Sequence, residues 1–320
     1  MIPNNVSGDT VEAAAADPGA APVVSGDPAR VLDLPGAINL RDVGGYRTVD
    51  GRTVRWRMLL RCGAMHRLGE PAHTAFTEIG LRTVVDLREL SEFQHEPDML
   101  GPVPVTIAHI PVYAAVLPST AATTEAEPAG SAGPGAAVHP RVDTAGEAVA
   151  AGAVSALRAL VDDDTPLTLE KLYTFAVDER GERLTAAVLA LAAPDALPAV
   201  VHCSAGKDRT GMVIALTLAL LGVPDETIAA DYALTARYLV GEIAEALSTA
   251  PNGKPVPAEL LTCPPELIVA TLARIRDRHG DVRSFLLAHG ATPTALDELR
   301  DTLLAPAPAP ANAISTAATD

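Results

Sequence analysis

The sequence predicts an α/β fold in which helices flank a central, mostly parallel sheet. Short β-branched apolar runs alternate with longer helical segments, the order typical of strand–helix–strand units. Arg82–Leu87 and Ala199–His202 are dense apolar runs, as expected for parallel strands that are buried on both faces. Hydrophobic residues make up 48% of the 320 residues, whereas aromatic residues make up only 3%. The predicted core therefore consists mainly of alanine, leucine and valine.

The predicted elements in the first part of the chain begin with a hairpin. Ile38–Tyr46 and Thr53–Leu60 are its strands, since the intervening Asp50-Gly51 is a typical hairpin turn. Glu70–Ile79 is predicted to be a short helix, and Val105–Val112 is predicted to be a further strand of the sheet.

Helices are predicted to dominate the second part of the chain. The most apolar of them ends before Gly222 and Pro224, two residues that stop helices. Asp281 and Thr292 are predicted N-caps of two later helices. The predicted helices of this part are Glu182–Ala193, Thr210–Leu221, Asp225–Leu247, Pro264–His279, Val282–His289 and Pro293–Leu304.

Composition divides the chain into one ordered domain and two tails. Residues 1–30 are rich in Ala, Gly, Pro and Asp and are predicted to be a disordered extension. Residues 31–305 are predicted to form a single domain, and residues 306–320 a disordered Pro/Ala tail. Within the domain, residues 114–165 lack a strong hydrophobic period and are predicted to be a variable insertion, either a lid or a flexible loop.

Net charge and cysteine content restrict the partners and the compartment. The net charge is −16 and the pI is about 4.8, so nucleic acid is not an expected partner. Three cysteines give no disulfide framework and indicate a reducing compartment. The first residues lack the basic and apolar regions of a signal peptide, and no apolar run reaches the roughly 18 residues needed to span a bilayer. We therefore expect a cytoplasmic protein without stable membrane insertion, and secretion without a conventional signal peptide stays open.

The strongest chemical signal is the segment Cys203–Arg209, which reads CSAGKDR and lies between a predicted strand and a predicted helix. Backbone N–H groups in such a loop, together with the N-terminus of the following helix, form a cup that binds anions. The same field lowers the pKa of a thiol, so Cys203 is predicted to be a thiolate nucleophile. Arg209 is predicted to bind two oxygens of a phosphate. The segment therefore predicts a catalytic phosphate-binding loop.

The neighbouring positions of the loop have predicted supporting roles. Gly206 allows a backbone conformation that other residues rarely adopt, and Gly211 allows close packing of the helix start. Thr210 is predicted to donate its hydroxyl to the Cys203 sulfur, and His202 to orient the loop through hydrogen bonds. The predicted phosphate-binding residues are Ser204, Ala205, Gly206, Lys207, Arg209 and Thr210.

Two alternatives to a catalytic loop compete with this interpretation. The first is a buried structural cysteine before a helix, with Arg209 on the surface, but it leaves the rest of the string HCSAGKDRTG unexplained. The second is the phosphate loop of nucleotide-hydrolysing proteins, which requires Ser or Thr after Gly-Lys. Here Asp208 follows Lys207, and Val201 stands where that motif needs its first glycine. The second alternative is therefore rejected.

The string HCSAGKDRTG is similar to the active-site loop of the protein-tyrosine-phosphatase superfamily, and more narrowly to that of the bacterial tyrosine/serine protein phosphatase family. The resemblance runs from about Leu34 to Leu304 and is weakest in residues 114–165. Other similar segments are Ile38–Val43, Leu59–Leu68, Gly80–Arg88 and Ile228–Tyr232. The resemblance implies a protein-tyrosine-phosphatase-like fold with a variable lid. It also implies a two-step reaction, in which Cys203 attacks phosphorus and water then hydrolyses the cysteinyl-phosphate.

The proton donor to the leaving oxygen has two candidates. The resemblance favours Asp208, within the loop itself, as general acid and base; otherwise Asp208 only caps the helix. Asp86 is the rival, because it lies near a strand end, where α/β active sites gather. For Asp86 a salt bridge with Arg88 or another arginine is the favoured interpretation, and Arg61 is likewise predicted to form a structural salt bridge.

The expected substrate is phosphotyrosine in proteins, and phosphoserine, phosphothreonine and phosphoinositides also stay open. In similar loops a lysine at the position of Lys207 accompanies action on phosphoinositides, although Lys207 could equally support a single phosphate. No metal and no cofactor are predicted, because the remaining histidines show no metal-ligand spacing. A non-catalytic phosphate-binding module and sulfur or arsenate chemistry on a similar loop are the alternative functions. Oligomeric state is not predicted.

Roles for four further residues follow from their types and positions. Cys62 could form a protective disulfide with Cys203 under oxidation, although nothing in the sequence brings them together. Tyr173 and Tyr232 are predicted to be packing residues. Asp231 is predicted to brace the loop together with Tyr232.

Overall fold

The computed structural model describes residues 30–113, 167–241, 245 and 256–306. The predicted extension up to residue 29, the predicted insertion at 114–165 and the predicted tail beyond residue 306 therefore lie outside the described residues. Arg30 is buried, because its guanidinium donates to the carbonyl oxygens of Asp42 and Gly44 and lies over the Tyr46 ring. Arg30, the first described residue, thus packs against the domain, although the predicted domain boundary is Val31.

One mixed sheet lies at the centre of the described structure. Its strands are β1 (Arg41–Asp42), β2 (Leu59–Cys62), β3 (Thr83–Asp86), β4 (Thr106–His109) and β5 (Ala199–His202). The order is β1–β2–β5–β3–β4; the β1–β2 pair is antiparallel and the remaining pairs are parallel. Cys62 and Asp86 lie in register with His202 on the central strand. The loops after β2, β3 and β5 therefore meet at one edge of the sheet, where α/β proteins bind ligands.

Helices cover both faces of this sheet. They are α1 (Glu70–Ile79), α2 (Leu90–His95), α3 (Leu169–Glu179), α4 (Gly181–Ala192), α5 (Asp208–Leu221), α6 (Asp225–Leu234), α7 (Pro265–His279), α8 (Val282–Ala288) and α9 (Pro293–Leu303). Helix α5 contacts β2, β5, α4 and α6 to α9, and 11 of its 14 residues are buried. No helix within the described ranges is long and apolar enough to span a bilayer.

Two hydrophobic clusters, one on each face of the sheet, form the core. Val201 belongs to the larger cluster, which includes residues of α3 to α9, and Val200 belongs to the smaller one with Phe76 of α1. Successive residues of β5 thus pack on opposite faces, which explains its unbroken apolar run. These features confirm the predicted α/β fold with a central, mostly parallel sheet flanked by helices.

The predicted hairpin is present, but its strands are much shorter than expected. Beyond the two residues of β1, an isolated bridge joins Arg47 to Thr53, and Val54 exchanges backbone hydrogen bonds with Gly45 and Tyr46. Gly45 has φ +82°, and a Cβ on Gly44 would lie 2.5 Å from the Cα of Trp56. The Gly44-Gly45 pair therefore ends the regular ladder, and the chain bends sharply before the turn.

The structure differs from the predicted helices at three places. At two of them, α2 and α3, the structure has a helix for which the sequence analysis gives no prediction. The prediction of one helix over Asp225–Leu247 is wrong, because α6 ends at Leu234 and a 3₁₀ turn follows at Thr235–Arg237. The Arg41 guanidinium donates to the carbonyl oxygen of Asp231 (2.8 Å), and the N–H of Thr235 bonds the Tyr232 carbonyl instead. An arginine from β1 thus occupies the carbonyl that would have continued the α-helix.

Candidate active site

The loop that connects β5 to α5 begins at Cys203 and makes a tight turn beneath the sheet edge. Gly206 has φ +64°, and a Cβ at this position would lie 2.5 Å from the carbonyl oxygen of Cys62. Both the left-handed backbone and the close approach to β2 require glycine. Gly211, in the first turn of α5, is similarly constrained, because a Cβ there would lie 2.9 Å from the Tyr232 ring.

Two carbonyl groups of the loop accept hydrogen bonds from residues outside the loop. Asn39 donates its amide to the carbonyl of Gly206 (2.9 Å), and Arg61 donates to the same oxygen (2.8 Å). The N–H of Ala64 bonds the carbonyl of Ser204 (2.8 Å). Within the described part of the chain, no acceptor binds the N–H groups of Ser204, Ala205 or Gly206. A loop with bound carbonyls and free N–H groups is suited to an anion.

A buried ion pair supports this loop from behind. Asp231 of α6 accepts from the guanidinium groups of Arg41 (3.2 Å) and Arg61 (2.5 Å) and from the hydroxyl of Tyr46 (2.9 Å). Burial alone would raise the pKa of Asp231, but the two arginines lower it below its ordinary value. Arg61 therefore forms the predicted salt bridge, and the same guanidinium fixes Gly206.

Arg209 lies in the first turn of α5 and is held by a carboxylate that was not predicted. Glu92 of α2 accepts from both terminal nitrogens of Arg209, at 2.5 Å and 2.9 Å. The hydroxyl of Ser204 bonds both side chains. Burial opposes ionisation of Glu92, but the charge and hydrogen bonds of Arg209 dominate and lower its pKa to about 2. Glu92 thus orients the guanidinium over the loop, and other N–H donors of Arg209 remain for a phosphate.

Asp208, the first residue of α5, lies next to Arg209 with its carboxylate partly exposed (22%). Its Oδ1 accepts from the hydroxyl of Tyr173 (3.0 Å), which also bonds the hydroxyl of Tyr232 (2.9 Å). Burial and the Asp208 charge raise the pKa of Tyr173 well above its ordinary value, so this hydroxyl keeps its proton. The predicted packing role of both tyrosines therefore includes orientation of Asp208.

The Lys207 side chain is bound to carbonyl groups outside the loop. Its buried ammonium donates to the carbonyls of Leu260 (2.5 Å) and Thr262 (3.0 Å) and lies 3.3 Å from Asp208. This lysine thus fixes the 3₁₀ turn Ala258–Leu261 next to the loop. Phosphate binding by Lys207 stays a prediction, and in the described structure its ammonium is engaged with these two carbonyls.

Cys203 and Thr210 lie at the centre of the site. Cys203 is 2% exposed and follows β5 directly. The hydroxyl of Thr210 is buried and has no hydrogen-bond partner among the described residues, so the predicted bond to the Cys203 sulfur is not observed in this state. Thr210 lies in the first turn of α5, and the dipole at this helix N-terminus favours negative charge nearby.

His202 lies in a buried network of charges behind the nucleophile candidate. Its Nε2 is 3.1 Å from Asp98 and 3.6 Å from Asp86. Burial would lower the pKa of His202, but the two carboxylates raise it. Arg88 binds both carboxylates, at 2.7 Å from Asp86 and 3.0 Å from Asp98, which confirms the predicted Asp86–Arg88 pair.

The same three residues, Asp86, Asp98 and His202, form a group whose oxygen and nitrogen atoms could approach one metal ion. Arg88 already neutralises this group, and a cation there would be repelled by the guanidinium. The network is therefore better described as buried ion pairs that fix the base of the loop than as a metal site. The Asp86 carboxylate is buried and bound by Arg88, which favours the salt-bridge interpretation of this residue over proton donation.

Cys62 ends β2 beside the loop, in register with the residue that precedes Cys203. Burial raises the pKa of its thiol to about 12, and its sulfur donates to the carbonyl of Ile38 (3.3 Å). The two cysteines are thus close in the fold, but Cys62 is a poor nucleophile because its thiolate form is strongly disfavoured.

This arrangement of thiol, arginine and amide groups between a central parallel strand and a helix occurs in a known class of enzymes, the cysteine-dependent phosphatases. Comparison with known sequences agrees with that class. The chain belongs to the tyrosine phosphatase family, whose profile matches residues 32–305.

Two relatives are similar to parts of this chain. The triple specificity protein phosphatase PtpB of Mycobacterium tuberculosis (strain ATCC 25618 / H37Rv) is 29% identical over 258 residues, which cover 81% of this chain and 86% of PtpB. A tyrosine-protein phosphatase of Nostoc commune is 46% identical over 52 residues, which cover 16% of this chain and 18% of that protein. The chain is thus a cysteine-dependent phosphatase of the tyrosine phosphatase family.

Proposed function

We propose that this phosphatase hydrolyses phosphotyrosine in proteins and that Cys203, Asp208 and Arg209 carry the reaction. The observation that supports this most directly is the loop itself: a cysteine, free N–H groups and a fixed arginine converge where α5 begins. Such a site binds a phosphate dianion and offers a nucleophile to its phosphorus.

In the first step the Cys203 sulfur attacks phosphorus in line with the ester oxygen. A sulfur–phosphorus bond forms, the phosphorus–oxygen bond breaks, and Asp208 gives its proton to the departing phenolate. The amide groups of the loop and Arg209 stabilise the charge on the non-bridging oxygens. The product is a cysteinyl-phosphate and a free tyrosine hydroxyl.

In the second step water attacks the cysteinyl-phosphate. Asp208, now ionised, accepts a proton from this water, and the sulfur leaves as a thiolate within the amide cup. Tyr173 orients the carboxylate for both transfers, since its hydroxyl bonds Oδ1 of Asp208 (3.0 Å). Glu92 holds the guanidinium in place throughout.

The substrate range is proposed to extend beyond phosphotyrosine to phosphoserine and phosphothreonine. The name of the mycobacterial relative, a triple specificity protein phosphatase, supports this extension. Phosphoinositides are the next candidate, but the Lys207 ammonium, the feature that suggested them, is engaged with the carbonyls of Leu260 and Thr262. We therefore rank protein phosphoesters above lipid phosphoesters.

A substrate panel tests this proposal. Phosphate release is measured from p-nitrophenyl phosphate, from one peptide carrying phosphotyrosine, phosphoserine or phosphothreonine at the same position, and from soluble short-chain phosphoinositides, all with EDTA present. The expected order of kcat/KM is phosphotyrosine first and phosphoinositide last, with no turnover by Cys203→Ser. A preference for phosphoinositides would overturn the proposed substrate class, and retained turnover by Cys203→Ser would overturn the proposed chemistry.

A further inference from the structure

Tyr113 is a buried tyrosine beside the loop that neither the predicted site nor the mechanism above uses. The residue is 7% exposed and belongs to the same hydrophobic cluster as Cys203. Its hydroxyl is buried and has no hydrogen-bond partner among the described residues. A buried hydroxyl without a partner costs free energy, so its presence needs an explanation.

The backbone of Tyr113 is fixed on both sides. Its N–H donates to the Glu89 carboxylate (3.0 Å), and its carbonyl accepts from the Arg180 guanidinium (3.2 Å). Glu89 also caps α2, the helix that carries Glu92. The ring is therefore positioned by the same helix that positions Arg209.

The ring lies next to Arg209, and the charges of other loop residues act on its hydroxyl. The guanidinium carbon of Arg209 is 5.7 Å from the centre of the Tyr113 ring. Burial raises the pKa of the hydroxyl well above its ordinary value, and the nearby charges of Asp208 and Cys203 raise it further. Tyr113 thus offers a permanent hydrogen-bond donor among anionic groups, and an anion held there is the acceptor it lacks.

We propose that the Tyr113 hydroxyl donates a hydrogen bond to an oxygen of the phosphoryl group held between Cys203 and Arg209, which makes Tyr113 an additional substrate-binding residue. This inference rests on the proposed function of the loop. A neutral donor beside a bound dianion strengthens binding without adding a cation.

The test compares Tyr113→Phe with Tyr238→Phe, a control that also removes one hydroxyl but from a partly exposed ring outside the loop. Inorganic phosphate is titrated against alkylation of Cys203 by iodoacetate, and kcat/KM is measured with p-nitrophenyl phosphate. We expect Tyr113→Phe to need about tenfold to hundredfold more phosphate for half protection and to lose a similar factor in kcat/KM. Tyr238→Phe should match the unmodified protein in both measurements.

Thermal unfolding without phosphate separates this role from a structural one. Loss of an unpaired hydroxyl should leave the Tm of Tyr113→Phe equal to or above that of the unmodified protein. A clear fall in Tm, or phosphate protection equal to that of the unmodified protein, would overturn the inference. If phosphate fails to protect Cys203 in the unmodified protein and no turnover is seen, the proposed function itself is overturned, and the role of Tyr113 with it.

Discussion

Asp208 lies beside the cup rather than on a separate loop, and its partners keep its carboxylate oriented. The Tyr173 hydroxyl and the Lys207 ammonium both contact Oδ1. Both contacts orient the carboxylate for the two proton transfers proposed above. The proposed role of Asp208 as proton donor can therefore be tested with substrates whose leaving groups differ in their need for a proton.

Substitution of Asp208→Asn should affect poor leaving groups most. With phenyl phosphate, kcat is expected to fall about 10²- to 10³-fold, because loss of a general acid commonly has this effect. With p-nitrophenyl phosphate, whose phenolate leaves readily, the fall should be much smaller. The matched control is Asp195→Asn, which removes an exposed carboxylate at the opposite end of the sheet. Equal rates for Asp208→Asn and the unmodified protein with phenyl phosphate would assign the proton transfer to another group.

Lys207 has two possible roles that one substitution distinguishes. Because its ammonium binds the carbonyls of Leu260 and Thr262, Lys207→Met should lower the free energy of unfolding by about 1–3 kcal/mol, the cost of leaving buried acceptors unpaired. The Ki of inorganic phosphate should change less than about threefold. Urea unfolding and phosphate inhibition measure the two quantities. A large rise in Ki with unchanged stability would place Lys207 on the phosphate instead.

At the scale of elements, α6 and the β1–β2 hairpin hold the loop through one buried carboxylate. Asp231 pairs with arginines from both strands, and one of them, Arg61, also donates a hydrogen bond to the carbonyl of Gly206 in the loop. Removal of one member of a buried ion pair leaves an uncompensated charge, which commonly costs about 3–5 kcal/mol.

Substitution of Asp231→Asn should therefore destabilise the fold in a pH-dependent manner. The folded protein holds the pKa of Asp231 below that of an unfolded aspartate, about 3.9. Its stabilisation is thus present above about pH 4 and is lost as the pH falls through the lower folded value. Urea unfolding at pH 7 and pH 3 should show a difference between the variant and the unmodified protein that shrinks at pH 3. Asp297→Asn, which removes an exposed ion pair with Arg283, is the control and should change stability by less than about 1 kcal/mol. A difference independent of pH would contradict this account.

How much of these elements could be predicted depends on how local each signal is. The strand–loop–helix unit around Cys203 is contiguous, so the residue string already determines its shape. Glu92 lies 117 positions from Arg209, and Asn39 lies 167 positions from Gly206, so neither contact leaves a local pattern. Helix α2 has only six residues and no buried face, so it lacks the apolar period that predicts a helix. The 3₁₀ turn after α6 depends on Arg41, which is equally remote.

At the scale of the whole molecule, the net charge of −16 opposes the approach of a phosphate dianion. The cup is thus a small region of positive potential in an acidic protein, and long-range repulsion acts on every encounter. Salt reduces the range of this repulsion, since the Debye length falls from about 30 Å at 0.01 M salt to about 8 Å at 0.15 M.

This charge predicts an unusual salt dependence. Between 0.01 M and 0.15 M NaCl, kcat/KM for an acidic phosphotyrosine peptide should rise roughly two- to fivefold, because screening removes repulsion. For a matched peptide with flanking lysines, attraction replaces repulsion and kcat/KM should fall over the same range. Stopped-flow or initial-rate measurements decide between these trends. Equal salt responses of the two peptides would show that the charge of the whole protein does not influence substrate capture.

The central claim is that Cys203 forms the covalent intermediate. The most direct measurement is rapid quenching of a reaction with a radiolabelled phosphotyrosine peptide, followed by mapping of the labelled residue. We predict one equivalent or less of phosphate on Cys203, more label in Asp208→Asn if hydrolysis of the intermediate slows, and none in Cys203→Ser. Label on another residue, or full turnover by Cys203→Ser, would contradict the account.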